Sequence, residues 1–163
     1  IEDLETKVRN NLQTQKTKEA QTKLQQEILE KMVEDNPFDV PQALLEQQKK
    51  SIREEISQTL KQQGFNEQMM EQYFEKWAQD VDDKALFQVR SGLILDQLAK
   101  NFGIEASESD VDAKIDEMVA QSGMPKDQIE GYYKSNEQLK KNLMYAVREE
   151  KTFEKLISEM KVS

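Results

Sequence analysis

The sequence predicts an all-α fold drawn out into an elongated shape, on three observations. Five Gly and three Pro are the only strong breakers among 163 residues. Gln occurs 19 times beside abundant Glu, Lys, Leu and Ala, side chains that lose little rotamer freedom in a helix. Apolar residues recur every three or four positions, and no run alternates as a strand would.

The first helix runs from Ile1 to about Glu34. Leu4, Val8 and Leu12 form one stripe; Leu24, Ile28 and Met32, widened by Leu29 and Val33, form another. Between them, 13–23 offers only Ala20 as an apolar group, so the middle of this helix has nothing to bury and bridges two anchored ends. At 1.5 Å per residue such a rod measures ~50 Å, longer than the ~40 Å diameter of a compact globule of this size. Pro37 and Pro41 stop it and start a second helix, with Pro41 at a position where its missing N–H costs nothing. That helix carries Leu44, Leu45, Ile52, Ile56 and Leu60 and ends at Gly64. Asn66 caps a third, which opens on Met69, Met70, Tyr73, Phe74 and Trp77 and runs to about Asn101, with a break at 80–83 as the alternative. Its 85–98 part is the richest apolar segment and the expected main core; Gly92 inside it costs ~1 kcal/mol against Ala unless another backbone approaches. Ser107 and Asp110 make a capping box for a helix with Val111, Ile115, Met118 and Val119, stopped by Gly123. Pro125 begins a short helix with Ile129, Tyr132 and Tyr133, and Asn136 caps the last one, whose stripe from Leu139 to Met160 reads mainly as core.

Composition excludes several chemistries. Without Cys there is no disulfide or thiolate site, and without His the commonest general base and metal ligand are missing. The glycines never cluster, so no phosphate-cradling loop exists and ATP-driven work is not expected. A net charge of −9, with basic residues dispersed, disfavours nucleic acid. No apolar stretch approaches the ~20 residues that span a bilayer, and no signal-peptide pattern opens the chain. Ile1 in place of Met marks the sequence as an expected piece of something larger. Asp82 and Asp83 imitate a catalytic pair, yet no polarising partner accompanies them, so neither an enzyme nor any cofactor or metal is expected.

The order of segments is that of a known family. IEDLETKVRNNL (1–12), FDVPQALLEQQ (38–48), VRSGLILDQLAKNFGIEASESDV (89–111), PKDQIEGYYKSNEQL (125–139) and AVREEKTFEKLISEMKVS (146–163) together resemble the C-terminal, client-binding domain of trigger factor, the ribosome-associated bacterial chaperone. The resemblance implies an all-helical domain with a body and two protruding arms, joined by a long linker helix. On that plan 1–34 is the linker helix, 36–105 holds arm and body helices, and 107–163 forms the second arm and closing helix. It also implies a cytoplasmic protein that holds unfolded or nascent polypeptides without ATP. The family's ribosome-docking signature and isomerase domain are absent from this sequence, so any link to the ribosome is expected to run through a domain outside it.

A promiscuous holder needs dispersed apolar side chains that adapt to different partners, and Met, present seven times, suits that task. Three groups are candidates for client contact: Phe38, Val40 and Leu44 at the hinge between helices; Met69, Met70, Tyr73, Phe74 and Trp77; and Met118, Val119, Met124, Ile129, Tyr132 and Tyr133 around a Gly–Pro turn. Plain core packing is the competing reading for each. Two other functions fit the same stripes. One is a helical adaptor whose Leu4, Val8 and Leu12 form a dimer seam, of which a weak homodimer is the milder form. The other is a periplasmic helical chaperone of the kind that holds outer-membrane proteins.

Overall fold

The computed structural model describes residues 2–160, and their side chains except those of 2–8, 10, 11 and 134. Seven α-helices and no strand occur among the described residues: α1 (Glu2–Asp35), α2 (Gln42–Gln62), α3 (Glu67–Lys76), α4 (Ala78–Phe102), α5 (Glu108–Ser122), α6 (Lys126–Lys134) and α7 (Glu137–Glu159). The chain divides between Ile94 and Leu95 into two compact units, so α4 contributes to both.

In the first unit, α1 exposes every side chain from 12 to 24, Leu12 and Leu24 included. The Leu4 and Val8 part of the expected stripe lies outside the described side chains. What supports the exposed stretch is local: Gln15 Nε2 donates to Glu19 Oε1 at 3.0 Å and Thr17 Oγ1 to the Gln13 carbonyl at 2.9 Å. Asn36 ends the helix by donating its side-chain amide to the Met32 carbonyl at 2.9 Å. Helix α2 then lays Ile52 against Val81 and Ala85 of α4, with Leu45, Ile56 and Phe74 packed around them. Gly64 takes φ +88 after the end of α2, and the Phe65 and Gly64 N–H groups close onto the Leu60 and Lys61 carbonyls at 3.0 Å each. This reversal needs a left-handed residue, which glycine supplies without a Cβ clash.

The long third helix of the sequence reading is two helices, and the break falls at Trp77 rather than at 80–83. Trp77 leaves helical geometry at φ −108 and ψ 23, while the Val81 N–H still reaches the Trp77 carbonyl at 3.1 Å. The acidic run is accommodated inside α4. Asp80 sits in the first turn, where the helix dipole favours negative charge; Asp82 pairs with Lys49 at 3.0 Å and Asp83 accepts from Gln79 at 2.8 Å. The 85–98 segment is also less of a core than its composition suggests. Ala85 and Leu95 are buried, whereas Leu86, Phe87, Val89, Leu93, Ile94 and Leu98 stay half-buried. Around Gly92, no atom outside its own helix backbone lies within 4 Å of where a Cβ would sit. Gly92→Ala therefore raises stability by about 0.5–1 kcal/mol, read as a higher thermal midpoint; an unchanged or lower midpoint would show that the position needs glycine.

The second unit packs α5, α6 and α7 around Val111, Ile115, Ile129, Leu143 and Val147. The capping box forms as the sequence indicates: Ser107 Oγ accepts from the Asp110 N–H, and the Ser107 N–H donates back to Asp110 Oδ2 at 2.8 Å. Helix α7 is tied to the α4–α5 connection by two basic side chains. Arg148 donates to the Ile104 carbonyl at 3.1 Å and to Asp96 Oδ1 at 2.7 Å; Lys151 donates to the Glu105 carbonyl at 3.2 Å and to Asp110 Oδ2 at 2.9 Å. Along the α7 stripe Leu143, Val147 and Phe153 are buried, but Ala146 and Met160 are exposed.

Candidate functional site

The candidate contact residues separate by burial into surface and support. In the second unit, α5 stops at Gly123, whose φ of +67 turns the chain toward Pro125 at the start of α6. Helices α5 and α6 are in contact across this short connection. They leave an open groove of about 580 Å3, lined by Met118, Gln121, Ser122, Met124, Gln128, Ile129, Tyr132 and Tyr133. Ile129 is buried and makes the floor; Tyr132 at 61% and Met124 at 48% exposure form the rim. Tyr133 packs on the core and meets Tyr132 edge-on at 5.5 Å between ring centroids. An ion pair between Lys126 of α6 and Asp116 of α5 straps the two helices beside the groove. Val119 packs against the core cluster and does not line the groove.

In the first unit, α3 has two apolar faces. Met70 is buried and Phe74 packs on the Ile52 cluster, so both serve the interior. Met69, Tyr73 and Trp77, spaced by four residues, share the other face. Met69 and Trp77 are exposed and Tyr73 is half-buried, with its ring 6.3 Å from that of Trp77. Lys76 Nζ lies 5.2 Å from the centre of the Trp77 ring, a cation–π contact at the edge of this ridge. The Phe38, Val40 and Leu44 group is split as well. Arg90 donates to the Phe38 carbonyl at 3.1 Å and stands 5.9 Å over its ring, fixing the hinge on α4. Phe38 and Val40 are half-buried, and Leu44 is exposed.

Of the candidate residues, Met70 is buried and Phe74 and Val119 pack on the core clusters, while Ile129 is buried at the floor of the groove. The sequence reading also missed one residue. Tyr145 on α7 is 62% exposed beside Ala106 and Met144, where a smaller concavity of about 350 Å3 opens between Glu105, Lys141 and Arg148. Tyr145 lies two positions from both Leu143 and Val147, off the stripe that drew attention; a lone aromatic on a polar face was the signal available. A concavity of the first unit, about 730 Å3, is lined by charged and polar residues including Lys49, Arg53, Glu54 and Asp82. Among the described residues no group of three His, Cys, Asp or Glu side chains is placed to hold a metal ion, and no helix is long and apolar enough to cross a membrane.

Comparison with known proteins places this arrangement. The family model described as bacterial trigger factor protein C-terminus matches residues 1–158. Trigger factor of Bdellovibrio bacteriovorus is 29% identical over 162 residues, covering 99% of this chain and 37% of that protein. Trigger factor of Geotalea daltonii is 28% identical over 163 residues, 100% of this chain and 38% of its own length; that of Bacillus cytotoxicus is 31% identical over 147 residues, 88% and 34% respectively. The chain thus spans somewhat more than a third of the curated relatives it matches. A solved structure of trigger factor domains from Thermotoga maritima shares the fold at a TM-score of 0.63 and 20% identity, covering 83% of this chain and 80% of that one. With a match over nearly its whole length, the chain belongs to the family of trigger factor C-terminal domains.

Proposed function

We propose that this chain is an ATP-independent chaperone module that holds unfolded or nascent polypeptides through separate apolar patches. The observation that carries the reading is the α5–α6 groove, where Met124 and Tyr132 present apolar surface to solvent over a floor of buried Ile129. The Met69–Tyr73–Trp77 ridge and the hinge at Leu44 supply further patches. Each patch that covers ~150–200 Å2 of a client contributes up to ~4–5 kcal/mol before ordering costs, and once those are subtracted a single patch binds at millimolar or weaker affinity. Several patches on one flexible client reach useful affinity because the second contact forms at high effective concentration. Release then needs no nucleotide, since a client that folds withdraws its apolar groups.

The test is an NMR titration with an unfolded, apolar polypeptide. Shifts are expected at Tyr132, Met124, Met69 and Trp77, and Tyr132→Ser weakens the response at the groove. Shifts confined to the charged concavity around Lys49 and Arg53 would defeat the reading.

A second reading, a dimerising adaptor rod, draws support from Leu12 and Leu24, both exposed on α1. Sedimentation separates the two: a tight dimer that ignores unfolded polypeptide favours the adaptor.

A further inference from the structure

We propose that Met124 is an oxidation site through which a two-electron oxidant of the peroxide class closes the α5–α6 groove to apolar peptide. The inference rests on the reading of that groove as a peptide-contact surface and adds a means of controlling it. A thioether reacts only where solvent and oxidant reach the sulfur, and the methionines differ sharply in that respect. Met124 and Met160 at 48% and Met69 at 43% are exposed, whereas Met118 is half-buried and Met70 is 9% exposed; of the exposed three, only Met124 lines the α5–α6 groove. Met124 also stands between Gly123 and Pro125, in the connection between two helices rather than within either. Its backbone N–H donates to Ser122 Oγ at 3.2 Å, a bond that the side chain's oxidation leaves in place. Adding an oxygen there changes the chemistry of the surface without opening a packed core.

In the reaction the sulfur lone pair attacks one peroxide oxygen. The S–O bond forms as the O–O bond breaks, sulfur loses two electrons, and the departing hydroxide takes up the remaining proton as water. The product is methionine sulfoxide, a polar and chiral group that sulfoxide reductases return to the thioether. The apolar side chains of a client offer no donor to the sulfoxide oxygen, so covering Met124 with them strips that oxygen of water without replacement.

The experiment treats the chain with hydrogen peroxide and maps sulfoxides by peptide mass spectrometry. Reduced and oxidised samples are then titrated with a short synthetic peptide of Leu and Phe, following the Tyr132 and Tyr133 ring signals. Met124 sulfoxide is expected well before Met70 sulfoxide, with about a tenfold loss of affinity at the groove. Met124→Leu carries no thioether at the rim, so whatever affinity the variant starts from, peroxide treatment is expected to leave it without the tenfold loss. Equal rates at Met124 and Met70, unchanged affinity after complete Met124 oxidation, or equal peroxide sensitivity in Met124→Leu would each overturn the inference while leaving the peptide-contact reading standing. A reduced protein that gives no response at Tyr132 or Tyr133 would overturn both.

Discussion

Ile115→Ala lowers the stability of the second unit by about 3 kcal/mol, the usual cost of removing most of a buried aliphatic side chain from a filled core. Ile115 is 3% exposed and sits in the cluster that joins α5, α6 and α7 through Val111, Ile129, Leu143 and Val147. The five buried side chains of that cluster are all aliphatic, so they offer no polar partner to a water in the vacancy. Because whole domains hold only about 5–15 kcal/mol of net stability, the loss is a large fraction of what is present. Urea unfolding followed by far-UV circular dichroism should show a clearly lower midpoint. Trp77 fluorescence, which reports the first unit, identifies which helices melt early. A midpoint equal to that of the parent chain would mean that this cluster does not hold the unit together.

Arg148→Met costs roughly 1–2 kcal/mol, since the Met keeps the packing of the stem while the Ile104 carbonyl and one Asp96 oxygen lose their donor. Asp96 retains Lys100 at 2.6 Å, which is why the loss stays moderate. The same contacts set the response to acid. Lys100 and then Arg148 hold the Asp96 carboxyl below its ordinary range; Lys151, together with the Ser107 cap, holds that of Asp110 far below it. Both carboxylates are thus harder to protonate when folded than when unfolded. Their stabilisation is fully present above the unfolded-state pKa near ~4 and is lost as the pH falls below it toward the depressed folded values. Urea midpoints measured from neutral pH down to pH 3 should drop at the acid end, and Arg148→Met should flatten that drop. A variant with the parent's acid slope would show that Arg148 contributes nothing to holding Asp96 ionised.

Elements set by local chemistry were legible from the residues alone. Asn66 caps α3 by accepting from the Met69 N–H, Ser107 and Asp110 close their box, Asn136 accepts from two N–H groups of α7, and Gly64 and Gly123 take positive φ. Each depends on atoms a few bonds apart. The break at Trp77 was not legible, because an apolar residue in an apolar run carries no stop signal. Adjacent Met69 and Met70 make the same point about the site: one is exposed and the other buried, and only the packing of α3 on α2 and α4 decides which. In the second unit, Met124 and Tyr132 could be placed near a turn from Gly123 and Pro125, but that they share a groove follows from the packing of α5 on α6. Tyr145 escaped attention for the opposite reason, since periodicity highlights stripes and passes over a single aromatic between charges.

The middle of α1 has a consequence for motion. Between 12 and 24 the side chains bury nothing, so unwinding a turn there forfeits only its own backbone bonds and a few neighbouring side-chain contacts. Such a segment obeys the kinetics of an isolated helical peptide, opening and reforming within about a microsecond. Opening there leaves both core clusters intact, because no side chain from 12 to 24 belongs to either.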